Sequence, residues 1–271
     1  MICHAAGWSS FENSGKTSTH AYLEPTLDLI NHAIEWRVSR FINLSSVYVA
    51  SVDKRNDANE PGHPRAYWPM INCLIAVEDY LRDYQQCHCQ FINLRLGLYS
   101  GKRLNMGLLP LLLTHNKQIS LPYLTGTSGY LPLVDGRDIG QAFIRAALSP
   151  IDTGYSSMNI IGPDMPTHRE AMAFIKNQIQ STPLNFGLPA LLANPLFFLY
   201  GILQFNNKRL LITRAMRYML QSSTFDNTSA MRQIGYDPEI SWQASLLYVF
   251  ESYKNQSLNQ NITQPDPPLN L

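Results

Sequence analysis

"MICHAAG", Met1 to Gly7, is a short apolar run that closes on small residues and gives way to a polar loop. An interior parallel strand ends this way where it meets a ligand crevice, because such strands are covered on both faces and read as unbroken hydrophobic runs. Working outward, the chain alternates. Thr26 to Arg37, "TLDLINHAIEWR", carries Leu27, Ile30, Ala33 and Ile34 at helical spacing. "RFINLSS", Arg40 to Ser46, reads as a second strand, and the polar stretch Ser51 to Arg65 as a loop. Met70 to Tyr84 reads as a long apolar helix and Cys89 to Tyr99 as a third strand. Strand and helix alternating at this spacing predict βαβ units and a parallel sheet.

Beyond Gly101 the texture changes. Met106 to Thr114 reads as a helix interrupted by Pro110, and a strand-rich stretch then leads into a helix from Asp138 to Leu148, with Asp138 as its cap. "YSSMNIIGP" is another strand, and "THREAMAFIKNQI" a helix with Thr167 and Glu170 in capping-box positions. A late helix is framed by Asp226 as its N-cap and Gly235 as its stop, with Pro238 just beyond. No internal repeat is visible. Residues 255–271 are polar and Pro-rich and read as a disordered tail.

The 271 residues can bury one α/β domain, or a domain plus a smaller cap. A formal net charge of +1, from 21 basic and 20 acidic residues in no strong block, does not point to nucleic acid as a partner. Four cysteines, Cys3, Cys73, Cys87 and Cys89, are too few for a disulfide scaffold in a chain of this length, so a reducing cytoplasm is the expected compartment. Cys87-His88-Cys89 lacks the Cys-x-x-Cys spacing and downstream ligand pair of a zinc site, and no metal is expected. Phe186 to Leu203 holds 18 residues without a charge, but Pro189 and Pro195 interrupt it. It suits an apolar cap segment, or a helix making peripheral contact with a membrane surface, better than a span.

Six stretches in order resemble the extended short-chain dehydrogenase/reductases, the group of NAD-dependent epimerases and dehydratases together with 3β-hydroxysteroid dehydrogenase-like enzymes. "ICHAAG" is similar to that family's fourth strand, "FINLSSVYV" to its fifth and "INLRLGLYSGKR" to its sixth. "LPLVDGRDIGQAFIRAA" and "MNIIGPDMPTHREAMAFI" follow in the family's order, and "LLITRAMRYMLQSSTFDNTSAMRQIGYDPEISWQASL" resembles the C-terminal signature of the steroid-dehydrogenase-like branch. The resemblance implies an α/β fold: a Rossmann-type parallel sheet lacking its first βαβαβ half, with a smaller mixed α/β C-terminal substrate cap. Residues 1–115, interleaved with 131–165, are expected to form what remains of the dinucleotide-binding domain, and 116–254 mainly the cap.

The implied chemistry is NAD- or NADP-dependent redox at a hydroxyl or keto group of a sugar nucleotide or sterol-like substrate. A dimer is a further family expectation. In such enzymes about 60 residues, two βα units, precede the "HAAG" strand, and the first holds the cofactor pyrophosphate on a Gly-x-x-Gly-x-x-Gly turn. That fingerprint is absent from these 271 residues. By motif match Ala5, Ala6 and Gly7, with Tyr99 and Ser100, take the cofactor-binding positions. Ser46, with Ser45 beside it, takes the position that orients the substrate oxygen.

The family reaction also needs a tyrosine whose proton is made available by a lysine one helical turn on. Anchored on the family's glutamate, matched by Glu78, the pair falls on Met70 and Leu74; anchored on Tyr67, the lysine position is Ile71. No lysine occurs between Lys54 and Lys102. His63 or Arg65 could supply positive charge near Tyr67. Tyr22-Leu23-Glu24-Pro25-Thr26 stands where the family shows Asn-x-x-Gly-Thr. Ser46 and Tyr67 are therefore the catalytic candidates of a chain expected to be inactive, the alternative being a non-catalytic binding or membrane-surface protein. In the plainer reading Ser45 and Ser46 cap a strand end, His4 is a packed strand-end residue and Arg95 makes a structural ion pair.

Overall fold

A computed structural model describes residues 1–6, 15–51, 53, 61–65, 68–84, 87–101, 123–125, 129–150, 154–179, 187–189, 218–219, 221 and 223–251. The expected helix at 106–114, nearly all of Phe186 to Leu203, the tail, Gly7 and Tyr67 lie outside the described residues.

The main sheet has four parallel strands in the order β1-β2-β3-β7: β1 (Ile2–His4), β2 (Arg40–Ser46), β3 (Gln90–Leu96) and β7 (Tyr155–Ile160). β1 leads through α1 (Gly15–Ser18) and a π-helical turn, Thr19–Leu23, into α2 (Glu24–Glu35). Pro25 lacks the N–H that a regular turn needs there, which is a physical reason for the wide turn in front of it. α2 stops at Arg37, whose φ of 53° turns the chain, with Val38 N–H donating back to Ala33 O. α3 (Pro69–Asp83) then connects β2 to β3.

The strand expected at 89–99 is in fact two. It breaks at Gly97, where a Cβ would stand 2.0 Å from the Pro132 carbonyl oxygen. Only glycine fits that approach. Past it, β4 (Leu98–Ser100) leaves the main sheet and pairs in parallel with β6 (Leu133–Asp135), while β5 (Tyr123–Thr125) pairs with β8 (Gly187–Pro189). α4 (Gly136–Leu148), α5 (His168–Ile179), α6 (Thr228–Ile234) and a last helix, α7 (242–251), complete the described elements. Asp135, not Asp138, caps α4 by accepting from Arg137 N–H. Thr167 and Glu170 form the expected capping box, and Gly235, left-handed at φ 65°, ends α6.

The two faces of the sheet differ. One packs Ile42, Ile92, Leu94, Met158 and Ile160 against α4 and α6 through Ile139, Ala142, Ala146, Ala230 and Ile234. The other, under α2 and α3, starts with Phe41 and Phe91 and then turns polar. A repeat unseen in the sequence explains the match of β2 to β3. Phe41-Ile42-Asn43-Leu44 and Phe91-Ile92-Asn93-Leu94 are the same tetrapeptide, paired residue for residue.

Candidate functional site

In an open parallel sheet ligands bind beyond the carboxyl ends of the strands. Here those ends are Ala5 and Ala6 after β1, Ser46 at the end of β2 and Gly97 after β3. Ala5 and Ala6 are exposed and Ser46 is half-buried. The Ser46 hydroxyl accepts from Tyr48 N–H at 3.3 Å and so caps the short turn Val47–Val49. Tyr99 is 40% exposed on β4, where burial first and Asp135 second push its hydroxyl above the ordinary tyrosine range. Ser100 is fully buried. Its hydroxyl lies 2.5 Å from that of Ser245 on α7, which donates to Asp135 at 2.6 Å.

A row of polar side chains crosses the sheet beneath these ends. His4, Asn43, Asn93 and Ser157 stand opposite one another in successive strands. His4 Nδ1 lies 3.0 Å from Asn43 Oδ1, Asn43 donates to Asn93 at 2.8 Å, and Asn93 donates to Ser157 at 3.2 Å. The His4 ring lies between Tyr22 and Phe41. Tyr22 occupies the family's asparagine position. Its hydroxyl is buried with no partner among the described residues, and burial, then Glu78, then Cys73 raise its pKa. It cannot give up a proton near neutrality.

One row further on, Glu78 of α3 is fully buried and holds both neighbouring strands. Ser45 of β2 donates to it at 2.5 Å, and Arg95 of β3 grips both its oxygens at 2.6–3.1 Å. This is the structural ion pair expected of Arg95. The sequence had placed Glu78 only as a frame marker and missed its bond to Ser45.

Glu78 also orients the rest of α3. One and two turns before Glu78 come Leu74, buried in the apolar core, and Met70, packed against it. Tyr67 precedes the helix, and Ile71, the lysine position of that alternative frame, is 2% exposed. In either frame the position in question carries an aliphatic side chain in the core. Arg65 donates from Nη2 to the Val49 and Ala50 carbonyls and to the Tyr218 hydroxyl.

A dinucleotide needs backbone N–H groups at a helix N-terminus for its pyrophosphate. The α4 N-terminus already faces the Asp135 carboxylate and that of α5 the Glu170 carboxylate, while α3 opens on Trp68 and Pro69. Burial works to raise the Asp135 carboxyl, but hydrogen bonds from Arg137 and Ser245 outweigh it and hold the group below its ordinary value. Phosphate would meet negative charge at both capped ends. The N-termini of α4 and α5 therefore do not suit a pyrophosphate. Among them no group of three His, Cys, Asp or Glu side chains could hold a metal ion, and burial, then Cys87, pushes the Cys89 thiol up to about 11. No helix among them is long and apolar enough to cross a membrane.

No protein-family model and no curated protein sequence matches the chain. Solved structures do match. The UDP-glucose 4-epimerase of Thermotoga maritima, solved with UDP-glucose, superposes with a TM-score of 0.69 at 16% identity, over 94% of this chain and 77% of that one. MoeE5, in complex with UDP-glucuronic acid and NAD, gives 0.66 at 15% identity over 94% and 79%. The UDP-N-acetylglucosamine 4-epimerase of Methanobrevibacter ruminantium, with UDP-N-acetylmuramic acid, gives 0.69 at 15% over 94% and 76%. The chain has their Rossmann-type fold. Roughly a quarter of each neighbour has no counterpart in it.

Proposed function

We propose that this chain derives from NAD-dependent sugar-nucleotide epimerases and dehydratases and has lost their catalysis. The sugar-nucleotide class is favoured over a sterol-like substrate because the three structural neighbours above were solved with UDP-sugars, MoeE5 with NAD as well. Ala5, Ala6 and Tyr99 would face the nicotinamide side of such a ligand, and Ser46 the substrate oxygen. One observation carries the inactivity: Leu74 and Ile71, the two places where a helix-borne lysine could stand, are both in the apolar core. Without that charge no tyrosine nearby is brought toward neutral pH, and the proton exchange that accompanies hydride transfer has no donor.

A thermal-melt titration of the 271-residue chain with NADH and with NADPH tests the reading. No shift in Tm is expected up to millimolar nucleotide. A site filled at a hundred times its Kd would add about 2.7 kcal/mol, so a concentration-dependent rise would be plain. Such a rise, with UDP-glucose converted to its 4-epimer in the presence of NAD, would overturn the inactivity.

A further inference from the structure

We propose that Arg65 is a latch that fastens the segment at Tyr218 to the turn following β2. This goes beyond the proposed loss of catalysis and does not depend on nucleotide binding. Arg65 comes from the loop between β2 and α3, Tyr218 from more than 150 residues further on. The guanidinium carbon lies over the Tyr218 ring, 4.1 Å from its centroid, and Nη2 donates to the tyrosine oxygen. The same nitrogen, Nη2, reaches the Ala50 carbonyl at 3.1 Å and that of Val49 at 3.4 Å. The Tyr218 hydroxyl then donates to Ala50 O at 2.6 Å, so both latch partners share one carbonyl.

The latch is itself anchored. Asn72 of α3 accepts from Arg65 N–H at 2.5 Å and donates to Arg65 O at 2.9 Å, clamping its backbone from both sides. Gly62 N–H donates to Val49 O at 2.8 Å, and a Cβ there would stand 2.9 Å from both Val49 O and Ser51 N. Trp68 and Tyr48 complete the seat: Trp68 meets Tyr218 edge-on at 6.3 Å, and Tyr48 meets Phe225 edge-on at 6.0 Å. A cation sharing hydrogen bonds and an aromatic face in a mostly buried seat forms a strong, directional tie. It is made to the turn that begins next to Ser46.

Hydrogen–deuterium exchange on the full chain tests the latch. Arg65→Met keeps the apolar stem and removes the guanidinium. Exchange in peptides covering 61–68 and 216–221 is expected to quicken at least about tenfold, the factor carried by a lost charge-assisted hydrogen bond, while strands 40–46 and 90–96 keep their protection. Unchanged protection at 216–221 would overturn the proposal. So would an equal loss across both strands, since that would make Arg65 a contributor to global stability only. If Arg65→Met does not fold, Tyr218→Phe decides. Losing only the hydroxyl should quicken 216–221 about threefold, and no change there sinks the latch. The nucleotide titration is silent on either result, so the two proposals fail separately.

Discussion

The two faces of the central sheet are made by the same strands and hold together by different means. Under α4 and α6 the buried contacts are mainly aliphatic, with Arg40 at the edge donating to the Ala146, Ala147 and Ser149 carbonyls at the end of α4. Under α2 and α3 the same strands present Asn43, Asn93, Ser45 and Arg95, each buried and each bonded to a particular partner. Apolar packing tolerates a shifted strand better than a row of hydrogen bonds does, because a buried amide without its partner costs more than an imperfect van der Waals contact. The polar face is therefore what specifies register, and the apolar face supplies bulk stability. Register matters most for β1, which has three paired residues and is tied in by His4.

The sharpest test is Glu78→Leu, which leaves the Arg95 guanidinium buried without its carboxylate. A loss of about 3–5 kcal/mol in urea unfolding is expected, with much of it recovered when Arg95→Met is added. A loss below 1 kcal/mol would mean that water reaches Arg95 and that the contrast between the faces is false. On the apolar face, Leu94→Ala should cost about 3 kcal/mol through the cavity it leaves, with no rescue by any single partner change. Asn93→Leu, which interrupts the polar row at its middle, should cost about 2 kcal/mol by stranding the Asn43 amide. If Asn93→Leu were stabilising, the row would be dispensable.

Much of this fold was legible in the residues. Apolar runs and their spacing placed β2, α2, α3 and β7 closely, because burial of a periodic face is a local signal. The break at Gly97 was not legible, since it depends on the Pro132 carbonyl, which arrives from 35 positions away. Asp138 read as a helix cap because of its place in the sequence, yet its carboxylate accepts from the Glu239 and Ile240 N–H groups, a partnership made by folding. The doubled Phe-Ile-Asn-Leu did carry a signal, an asparagine at the same point of two apolar strands. At the candidate site Glu78 was legible as a position on α3, but its bonds to Arg95 and Ser45 are made by folding and were not.

Smaller effects extend the contrast beyond the sheet. His168, at the start of α5, has a buried Nε2 with no partner among the described residues, and burial lowers its pKa to about 4. A histidine depressed in this way contributes stability that is complete above its unfolded value near 6.5 and is lost as pH falls toward 4. The loss should run at about 1.4 kcal/mol per pH unit in that window. His168→Gln should flatten that part of the profile, checked by urea midpoints at pH 7, 5.5 and 4.5. An unchanged slope would assign the acid sensitivity to other groups.

The smallest expected effect bears most directly on function. Ser46 stands where the substrate oxygen would be oriented, yet its hydroxyl already accepts from Tyr48 N–H and caps the turn that carries Val49 and Ala50 to Arg65. As a cap alone, Ser46→Ala should cost about 0.5–1 kcal/mol in denaturant unfolding, and Ser46→Asp, which can still accept from Tyr48 N–H, should cost less. A catalytic serine behaves otherwise. Its removal lowers turnover and leaves stability nearly untouched, and aspartate cannot replace it because it has no hydroxyl proton to place on the substrate oxygen. Running both variants through the same melt and the same UDP-glucose epimerisation assay separates the roles. A stability loss that aspartate repairs, with no turnover in any variant, would make the strand end a piece of architecture. Turnover in the parent chain that both variants abolish would restore it as an active site and require a proton donor outside the helix that carries Leu74.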